Sequence, residues 1–263
     1  MKIFDTFTFF NEKEILELRL MELYDFVDYF VIAEANKTHA GNPKEFVFEQ
    51  NKELYKPYLD KIIYVKVTDL PGYSTKDRTS QFAPLYFQWN TLMRGLGKAE
   101  VGDKILFSDC DEIPNVETVK TRLNDPNWVA FQQILFYYYV NCKVNQTWRG
   151  TVLADFGTFE SFLQLRFFLR KYRNECQNGG WHYSYMATPE QIFYKADNIA
   201  EREGVINRVG NVKDIAEKMA TQRDVYGRGG WRTLMQIVDI SNNKPKSLDK
   251  WLEKYPQFFY KNG

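Results

Sequence analysis

The first half of the chain alternates strand-like apolar runs with stretches of helical periodicity. Residues 27–35, 62–67 and 104–108 are short runs rich in β-branched and aromatic residues, and each is followed by polar or turn-forming positions, so they predict three strands. An alternation of strands and helices is typical of a parallel sheet with helices on its faces. The pattern therefore predicts an α/β fold with a mostly parallel central sheet flanked by helices.

Local signals predict where the helices of this half begin. Asn11, followed three residues later by Glu14, forms a capping pair in front of leucines at helical spacing. Pro84 is expected in the first turn of a helix that stops at Gly97. Asn115 is expected to cap a helix of its own, because its side chain can accept from the first free backbone amides.

The second half is less regular. Residues 128–140 and 163–172 are dominated by aromatic and aliphatic side chains and predict two further strands. Thr188, followed by Pro and Gln, predicts a helix start, and short helices are predicted near 212–221 and 247–255. No linker or repeat divides the chain, so we expect a single domain.

Composition and charge narrow the class of protein. Lys and Arg number 35 against 34 Asp and Glu, a net charge of +1, which argues against a protein that binds nucleic acid mainly through its phosphates. Aromatic residues make up 17% of the chain, which suits a thick core and sites that stack flat rings or sugar faces. No run approaches the roughly 20 apolar residues of a membrane helix, and the N-terminus lacks a signal-peptide pattern. We therefore expect a cytoplasmic protein without a membrane span.

The sharpest candidate for chemistry is Asp109-Cys110-Asp111-Glu112, which directly follows an apolar strand. Ligands of open α/β sheets bind outside the carboxyl ends of the strands. Alternation along an extended chain places Asp109 and Asp111 on one side, and paired carboxylates are ligands that Mg²⁺ or Mn²⁺ prefers. Such an ion can bridge a nucleotide diphosphate and stabilise its departure. A solvated acidic turn is the alternative interpretation.

The two histidines differ in context. His182 follows two glycines and Trp181, and glycines let a backbone come close to a ligand. His182 could complete a metal site with the two aspartates, or it could be a partly buried structural histidine. His39 lacks such a context, and we interpret it as a loop residue.

Two more segments carry candidate binding residues. Glu34, Asn36 and Thr38 lie in the polar stretch 34–46, which begins at the end of the strand at 27–35, and they could contact a base or ribose, or hold a surface loop. Arg228 lies among glycines, in a segment that could close over a diphosphate or form an ordinary turn.

These segments, in this order, resemble glycosyltransferase family 17. The family's Glu-[Ser/Ala]-Asn-x-Thr-x-x-Gly-x-Pro stretch matches residues 34–43. Its Asp-Ala-Asp-Glu-Ile-Pro stretch matches residues 109–114, with Cys110 in place of Ala, and its Gly-Trp-His-x-Ser stretch matches residues 180–184. The resemblance runs from about residue 3 to 262, and it is more specific than any one motif.

The resemblance implies a GT-A-like nucleotide-sugar-binding fold, a UDP-sugar donor, a carbohydrate or glycoconjugate acceptor, and inversion at the anomeric carbon. The transferred sugar is expected to be N-acetylglucosamine. The single domain over 1–263 would then comprise a nucleotide-sugar-binding half, 1–126, and an acceptor-side half, 127–263. The divalent cation, Mn²⁺ or Mg²⁺, would be held by Asp109, Asp111 and His182.

The resemblance also assigns roles around the donor. Trp181 and Arg228 are expected to contact the nucleotide sugar, together with Glu34, Asn36, Thr38 and Asp109. Asp111 is expected to be catalytic through the metal.

An acceptor hydroxyl would attack the anomeric carbon in line with the leaving UDP, and a carboxylate would accept its proton. Glu112 is the expected base, with Asp155 and Glu160 as alternatives. The other interpretation of Glu112 is a residue that orients Asp109 or a nearby arginine.

Three other functions share part of this pattern. A nucleotide-sugar hydrolase or nucleotidyltransferase would need the metal pair but no acceptor site. A non-catalytic sugar-binding module would be expected to have lost the two aspartates and the histidine. A glycosyltransferase acting on modified DNA bases would use a local basic patch around Arg166, Arg170, Lys171 and Arg173, although nucleic acid is not the favoured partner.

Overall fold

The computed structural model describes residues 1–171 and 175–261. Four strands of the first half pair in parallel: β1 (Ile3–Phe9), β2 (Tyr29–Ala35), β3 (Ile62–Val67) and β4 (Lys104–Asp109). Their spatial order is β3-β2-β1-β4. The three strands predicted here are confirmed as β2, β3 and β4. The sequence of β1 gives a weaker signal because polar residues interrupt its apolar run.

Five further strands, of 3 to 14 residues, extend this sheet. They are β5 (Glu112–Pro114), β6 (Val129–Tyr137), β7 (Cys142–Asp155), β8 (Gly180–Ser184) and β9 (Met235–Ile237). The strand β7 pairs antiparallel with β4, β6 and β9, whereas β8 lies between β6, to which it is parallel, and β5, to which it is antiparallel. The predicted α/β class with a central sheet is confirmed. The parallel part is its first four strands, and the remainder is mixed.

Helices cover both faces of the sheet. In the described part of the chain they are α1 (Lys13–Leu23), α2 (Val47–Gln50), α3 (Arg78–Thr91), α4 (Val116–Lys120), α5 (Phe162–Lys171), α6 (Pro189–Asn198), α7 (Arg202–Val209), α8 (Val212–Ala220) and α9 (Leu248–Lys254). None of these helices is long and apolar enough to cross a lipid bilayer.

Alternate side chains of β1 enter two different cores. Phe7 packs with the leucines of α1 on one face, and Phe4 packs with Trp89 of α3 and Leu165 of α5 on the other. This alternation follows from the two-residue period of a strand. The carboxyl ends of β1, β2 and β4 therefore emerge together between the two helical layers.

The strand predicted over residues 163–172 is wrong, because α5 covers Phe162–Lys171 and residue 172 lies outside the described residues. Leu165 and Leu169 are buried one helical turn apart, and Arg166 is buried beside them. A short apolar run fits the period of a helix as well as that of a strand. Packing of this segment against α3 and β7 favours the helix.

Two predicted helix starts are also wrong. The helix α3 begins at Arg78, where the Asp77 carboxylate accepts from the Ser80 amide at 2.9 Å, so Pro84 lies inside the helix. A proline in the interior removes one backbone hydrogen bond, which this helix tolerates. At α1 the cap position is Glu12, with no side-chain bond to the helix, so the predicted Asn11 pair does not form.

The other predicted starts are confirmed. Thr188 and Gln191 form a reciprocal capping box at α6, and Asn115 accepts from the Glu117 amide at α4. The helices predicted near 212–221 and 247–255 are α8 and α9.

Two glycines at the start of β8, Gly179 and Gly180, leave room for neighbouring strands rather than for a ligand. A Cβ on Gly180 would lie 2.2 Å from the Ile113 carbonyl oxygen, and a Cβ on Gly179 would lie 2.6 Å from the Phe131 Cβ. The backbone of Gly180 also has φ of +130°, which favours glycine. These glycines allow β8 to fit between β5 and β6, and thereby fix the position of His182.

Candidate active site

The acidic turn between β4 and β5, residues 109–112, is hydrogen-bonded through its backbone carbonyls to a buried arginine of α1. Nε and Nη2 of Arg19 donate to the Asp5 carboxylate at 2.7 and 2.6 Å, and both side chains are fully buried. Nη1 donates to the carbonyl oxygens of Asp109, Cys110 and Glu112 at 2.9, 3.2 and 3.0 Å. One guanidinium therefore contacts three turn carbonyls, of which that of Glu112 also accepts from the Ser108 and Thr151 hydroxyls. Arg19 fixes the backbone on which the two aspartates stand.

Glu112 lies under the same turn, and its carboxylate is enclosed. Its Oε2 accepts from the Asp109 amide at 2.8 Å, and its Oε1 accepts from the Trp148 indole at 2.6 Å. Arg166 Nη1 donates to both oxygens, at 3.4 and 3.3 Å. The residue is fully buried. This enclosure favours the positioning role of Glu112 over the general-base role.

Asp109 faces a cation contributed by α5. Nη2 of Arg166 donates to its Oδ2 at 2.7 Å, and the Trp89 indole donates to its Oδ1 at 3.3 Å. The Asp109 side chain keeps 34% of its surface exposed. Burial raises the pKa of Asp109 by more than Arg166 lowers it. Arg166 is thus engaged inside the protein rather than in a surface basic patch, and Arg173 of that predicted patch lies outside the described residues.

Asp111 faces a different set of groups. Its Oδ1 lies 3.5 Å from His182 Nε2, and its Oδ2 lies 3.8 Å from the Nζ of Lys195 on α6. Lys195 also pairs with Glu12 at 2.8 Å. Burial alone would raise the pKa of Asp111, but His182 and Lys195 outweigh it and hold the pKa well below its usual range. The carboxylate is therefore ionised and ready to accept a cation or a hydrogen bond.

These side chains line a cavity of about 200 Å³ at the carboxyl ends of β1 and β4. Asp109, Asp111, His182 and Lys195 all contribute to its wall, and Phe9 and Phe10 add an apolar side. The position agrees with the general rule for ligand sites in open α/β sheets. We name it the donor cavity.

His39 and Gln88 also line the donor cavity, although sequence reasoning interpreted His39 as a plain loop residue. The His39 Nε2 and Gln88 Oε1 atoms are 2.6 Å apart, and Gln88 donates to the Ala33 carbonyl at 3.0 Å. Burial lowers the pKa of His39, so the imidazole is neutral. The signal that could have identified it is its place in the loop that leaves the carboxyl end of β2.

The predicted three-ligand metal site is not formed by side chains alone. No group of three or more His, Cys, Asp or Glu side chains within residues 1–171 and 175–261 is arranged to hold a metal ion. Asp109 is turned towards Arg166, which leaves Asp111 and His182 of the predicted trio side by side. The buried Nδ1 of His182 has no hydrogen-bond partner among the described residues. One carboxylate and one imidazole are ligand types that suit a divalent ion, but these two side chains alone do not complete its coordination.

The three predicted residues at the end of β2 and in the loop after it have different contacts. The Glu34 carboxylate accepts from the amides of Val47 and Phe48 at 2.6 and 3.0 Å, so it holds the start of α2. Thr38 accepts from the Asn42 amide at 3.1 Å and closes a turn. The Oδ1 of Asn36 is buried and has no partner in the described chain. This oxygen is enclosed, and Asn36 does not line the donor cavity.

The expectations for Trp181 and Arg228 are corrected by their positions. Trp181 lies on the opposite face of β8 from His182, in the core, where its indole donates to Asn243. Arg228 pairs with Asp224 at 2.7 Å and donates to the Tyr137 hydroxyl at 3.2 Å. It lines a separate cleft and not the donor cavity.

The two alternative bases also lie away from the donor cavity. Asp155 pairs with Lys104, which begins β4, whereas Asp109 ends that strand. Lys104 and Asp109 are five residue steps apart along the strand, a distance of about 17 Å. Glu160 is exposed in the segment before α5 and lines no part of the cavity.

Sequence reasoning missed the two cations of this site, Arg166 and Lys195. Arg166 lies within an apolar run, and a lone arginine on a buried helix face is a signal for a buried ion pair. Lys195 follows the well-predicted cap of α6 by two turns, and no local feature sets it apart.

Residues 1–227 match the model of the family described as glycosyltransferase family 17. The chain is similar to the beta-1,4-mannosyl-glycoprotein 4-beta-N-acetylglucosaminyltransferases of Rattus norvegicus and Homo sapiens, at 23% identity over 289 positions in each case. These alignments cover 95% of this chain and 52% and 53% of those proteins, so the chain spans about half the length of the curated relatives it matches.

Solved structures with a similar outline include the inositol-1-phosphate CTP transferase from T. maritima, at 9% identity and a TM-score of 0.36 over 77% of this chain and 96% of that chain. Another is a putative nucleotide-diphospho-sugar transferase from Desulfovibrio desulfuricans G20, at 10% identity and a TM-score of 0.34 over 83% of this chain and 94% of that chain.

Proposed function

The chain belongs to glycosyltransferase family 17, and from this premise we propose that it transfers a sugar from a UDP-sugar to a hydroxyl group of a carbohydrate or glycoconjugate, with inversion at the anomeric carbon. The sugar we propose is N-acetylglucosamine. The observation that carries the proposal is the donor cavity, where Asp109, Asp111, His182 and Lys195 meet at the carboxyl ends of β1 and β4. The placement agrees with the GT-A-like fold that the resemblance implies.

The diphosphate of the donor lies, in this proposal, against Asp111 and Lys195, whose charged groups are 3.8 Å apart. Asp111 and His182 would hold Mn²⁺ or Mg²⁺, because an ionised carboxylate and an imidazole are suitable ligands. When bound, the ion supplies positive charge that stabilises the departing UDP. Lys195 lies 3.8 Å from the Asp111 carboxylate and stays protonated, since Glu12 and Asp111 raise its pKa despite burial. Its ammonium group can therefore pair with a phosphate oxygen.

The remaining residues position the donor. Asp109 keeps an exposed edge in the cavity while Arg166 fixes its orientation through a bond of 2.7 Å. Glu112 holds Arg166 and the Asp109 amide, so it acts on the reaction through these groups. Asn36, just after β2, is the proposed contact of the base or ribose, and this contact requires its buried Oδ1 to become accessible when the donor binds.

Product analysis separates this proposal from the other enzyme classes. A nucleotide-sugar hydrolase would release free sugar at full rate without an acceptor, and a nucleotidyltransferase would release pyrophosphate or join a nucleotide. A sugar-binding module would release no UDP. Family membership favours transfer to an acceptor over each of these.

UDP with Mn²⁺ is expected to raise the melting temperature by several degrees, because a ligand at about 100 times its Kd stabilises the native state by about 2.7 kcal/mol. UDP with a chelator is expected to stabilise much less, since the diphosphate would lose the ion that links it to Asp111 and His182. The measurement is a thermal melt of the wild-type protein and of His182→Ala, in which the Mn²⁺ concentration needed should rise about 10-fold.

Equal stabilisation by UDP in Mn²⁺ and in chelator would contradict the shared metal site. A His182→Ala protein with a lower melting temperature but an unchanged Mn²⁺ requirement would make His182 a structural residue.

A further inference from the structure

A second cavity lies on the other side of Trp148 and Arg166 from the donor cavity. It has a volume of about 820 Å³ and runs along β6 and β7. Binding sites for small molecules measure roughly 300 to 1,000 Å³, so this one has room for more than a single sugar ring. We name it the β6–β7 groove.

The β6–β7 groove and the donor cavity share a wall one side chain thick. Arg166 lines the groove and donates to Asp109, which lines the donor cavity, at 2.7 Å. Trp148 also lines the groove, and its ring packs against His182 of the donor cavity with centroids 4.8 Å apart. A transferase must bring the acceptor hydroxyl within about 3.5 Å of the anomeric carbon. An acceptor in the groove can meet that requirement only where its reacting end passes the edge of this wall, next to Trp148 and Arg166.

The chemistry of the groove suits a carbohydrate. Trp231 is 63% exposed on its rim, and a sugar ring can cover such an indole with its apolar C–H face. The side-chain amides of Gln132, Asn145 and Gln146 line the groove and can both donate to and accept from hydroxyl groups. Aromatic platforms beside amide groups are therefore present along one continuous surface.

The backbone of residues 231–234, which carries Trp231, is hydrogen-bonded to Asn145 of β7. The Asn145 amide donates to the Leu234 carbonyl at 2.8 Å, and its Nδ2 donates to the Trp231 carbonyl at 3.0 Å. The Arg232 guanidinium stacks on the Trp231 ring at 5.4 Å. An exposed indole held in place in this way can bind a ring at little cost in conformational entropy.

Charge in the groove disfavours a cationic ligand. Its charged lining residues are three basic ones besides Arg166, and one acidic one that pairs with Arg149: Lys143, Arg149, Arg232 and Glu175. This balance suits a neutral or acidic glycan.

We propose that the β6–β7 groove binds the acceptor as an oligosaccharide of at least two sugar rings, neutral or acidic, with Trp231 as the stacking platform at the rim. The reacting end of the oligosaccharide lies at the wall formed by Trp148 and Arg166. This assignment rests on the proposed function, because it specifies where the acceptor of the same reaction binds and what kind of molecule it is.

The test is calorimetric titration of the protein, without donor, with oligomers of one to five units of β-1,4-N-acetylglucosamine, α-mannose and α-1,4-glucose. At least one series is expected to bind more tightly as it lengthens from one to three units. Trp231→Ala is expected to weaken that binding about 10-fold, and Trp231→Phe to retain most of it. Leu234→Ala is the matched control, since Leu234 is 57% exposed in the same segment but lines the neighbouring cleft. It is expected to bind as wild type does.

The assignment is overturned if no oligomer binds to the wild-type protein, if Trp231→Ala binds as tightly, or if Leu234→Ala loses as much affinity. Stabilisation by UDP with Mn²⁺ in the same preparations separates the two proposals. If that stabilisation persists without oligosaccharide binding, the groove assignment fails and the proposed function stands. If oligosaccharides bind and UDP does not stabilise, the proposed function fails, and the acceptor role fails with it.

Discussion

Asp111→Asn is expected to lower the rate of sugar transfer about 100-fold or more, because the substitution removes the charge that offsets the bound cation and leaves a poorer ligand for a hard ion. The shape of the side chain is preserved, so the fold should be retained. Steady-state transfer at saturating donor and Mn²⁺ measures the effect, and a melting curve checks the fold.

The matched control is Asp249→Asn, since this carboxylate is 69% exposed and pairs with Lys244 away from the donor cavity. It should transfer sugar at the wild-type rate. Near wild-type transfer by Asp111→Asn itself would remove Asp111 from the active site.

Arg19→Met is expected to lower the free energy of unfolding by about 3–5 kcal/mol, because it leaves the Asp5 carboxylate buried without its cation. It also leaves the carbonyl oxygens of Asp109, Cys110 and Glu112 without the donor that holds them. Urea denaturation measures the loss of stability.

The double variant Asp5→Leu with Arg19→Met distinguishes the cost of an unpaired buried Asp5 carboxylate from the loss of the donor to the turn carbonyls. Replacing both partners of a buried ion pair by apolar groups is often close to neutral, so much of the stability should return. Transfer activity should remain low, because the turn still lacks its donor. Full activity in the double variant would show that Arg19 does not position the acidic turn.

The parallel part of the fold could be predicted because its strands are short apolar runs that end in polar residues. β2, β3 and β4 have this pattern, and the acidic turn follows β4 directly. The 14-residue strand β7 gives no such signal, since residues 145–149 in its middle are exposed or half-buried and, apart from Trp148, carry polar side chains. The helix α5 could not be distinguished from a strand, because its apolar run fits both periodicities until packing partners are known.

The acidic turn shows why site geometry is harder to predict than site residues. Alternation predicted Asp109 and Asp111 on one side, but β4 ends at Asp109 and β5 begins at Glu112, so Asp111 lies in a turn where the two-residue period does not apply. Asp109 then meets Arg166, 57 positions along the chain, and Asp111 meets Lys195. Contacts at such separation leave no trace in local sequence.

Two features of the site can nevertheless be predicted from local sequence: the opposite facing of Trp181 and His182, and the buried partner of Arg19. Trp181 and His182 are neighbours in a strand, so alternation alone places them on opposite faces, and they cannot both face the donor cavity. Arg19 lies among Leu16, Leu20 and Leu23 on the predicted buried face of α1, where an arginine requires a buried partner. Asp5, the charged residue of β1, is that partner.

The most direct test of the donor cavity as a site of sugar transfer is the release of UDP from a panel of nucleotide sugars, measured with Mn²⁺ and with a chelator, in the presence and absence of pooled oligosaccharides. We expect UDP-N-acetylglucosamine to be cleaved fastest, only with the metal, and faster when oligosaccharides are present, with the sugar recovered on an oligosaccharide by mass spectrometry. Absence of UDP release from every nucleotide sugar, or release of free sugar at the same rate with and without oligosaccharides, would contradict a transferase.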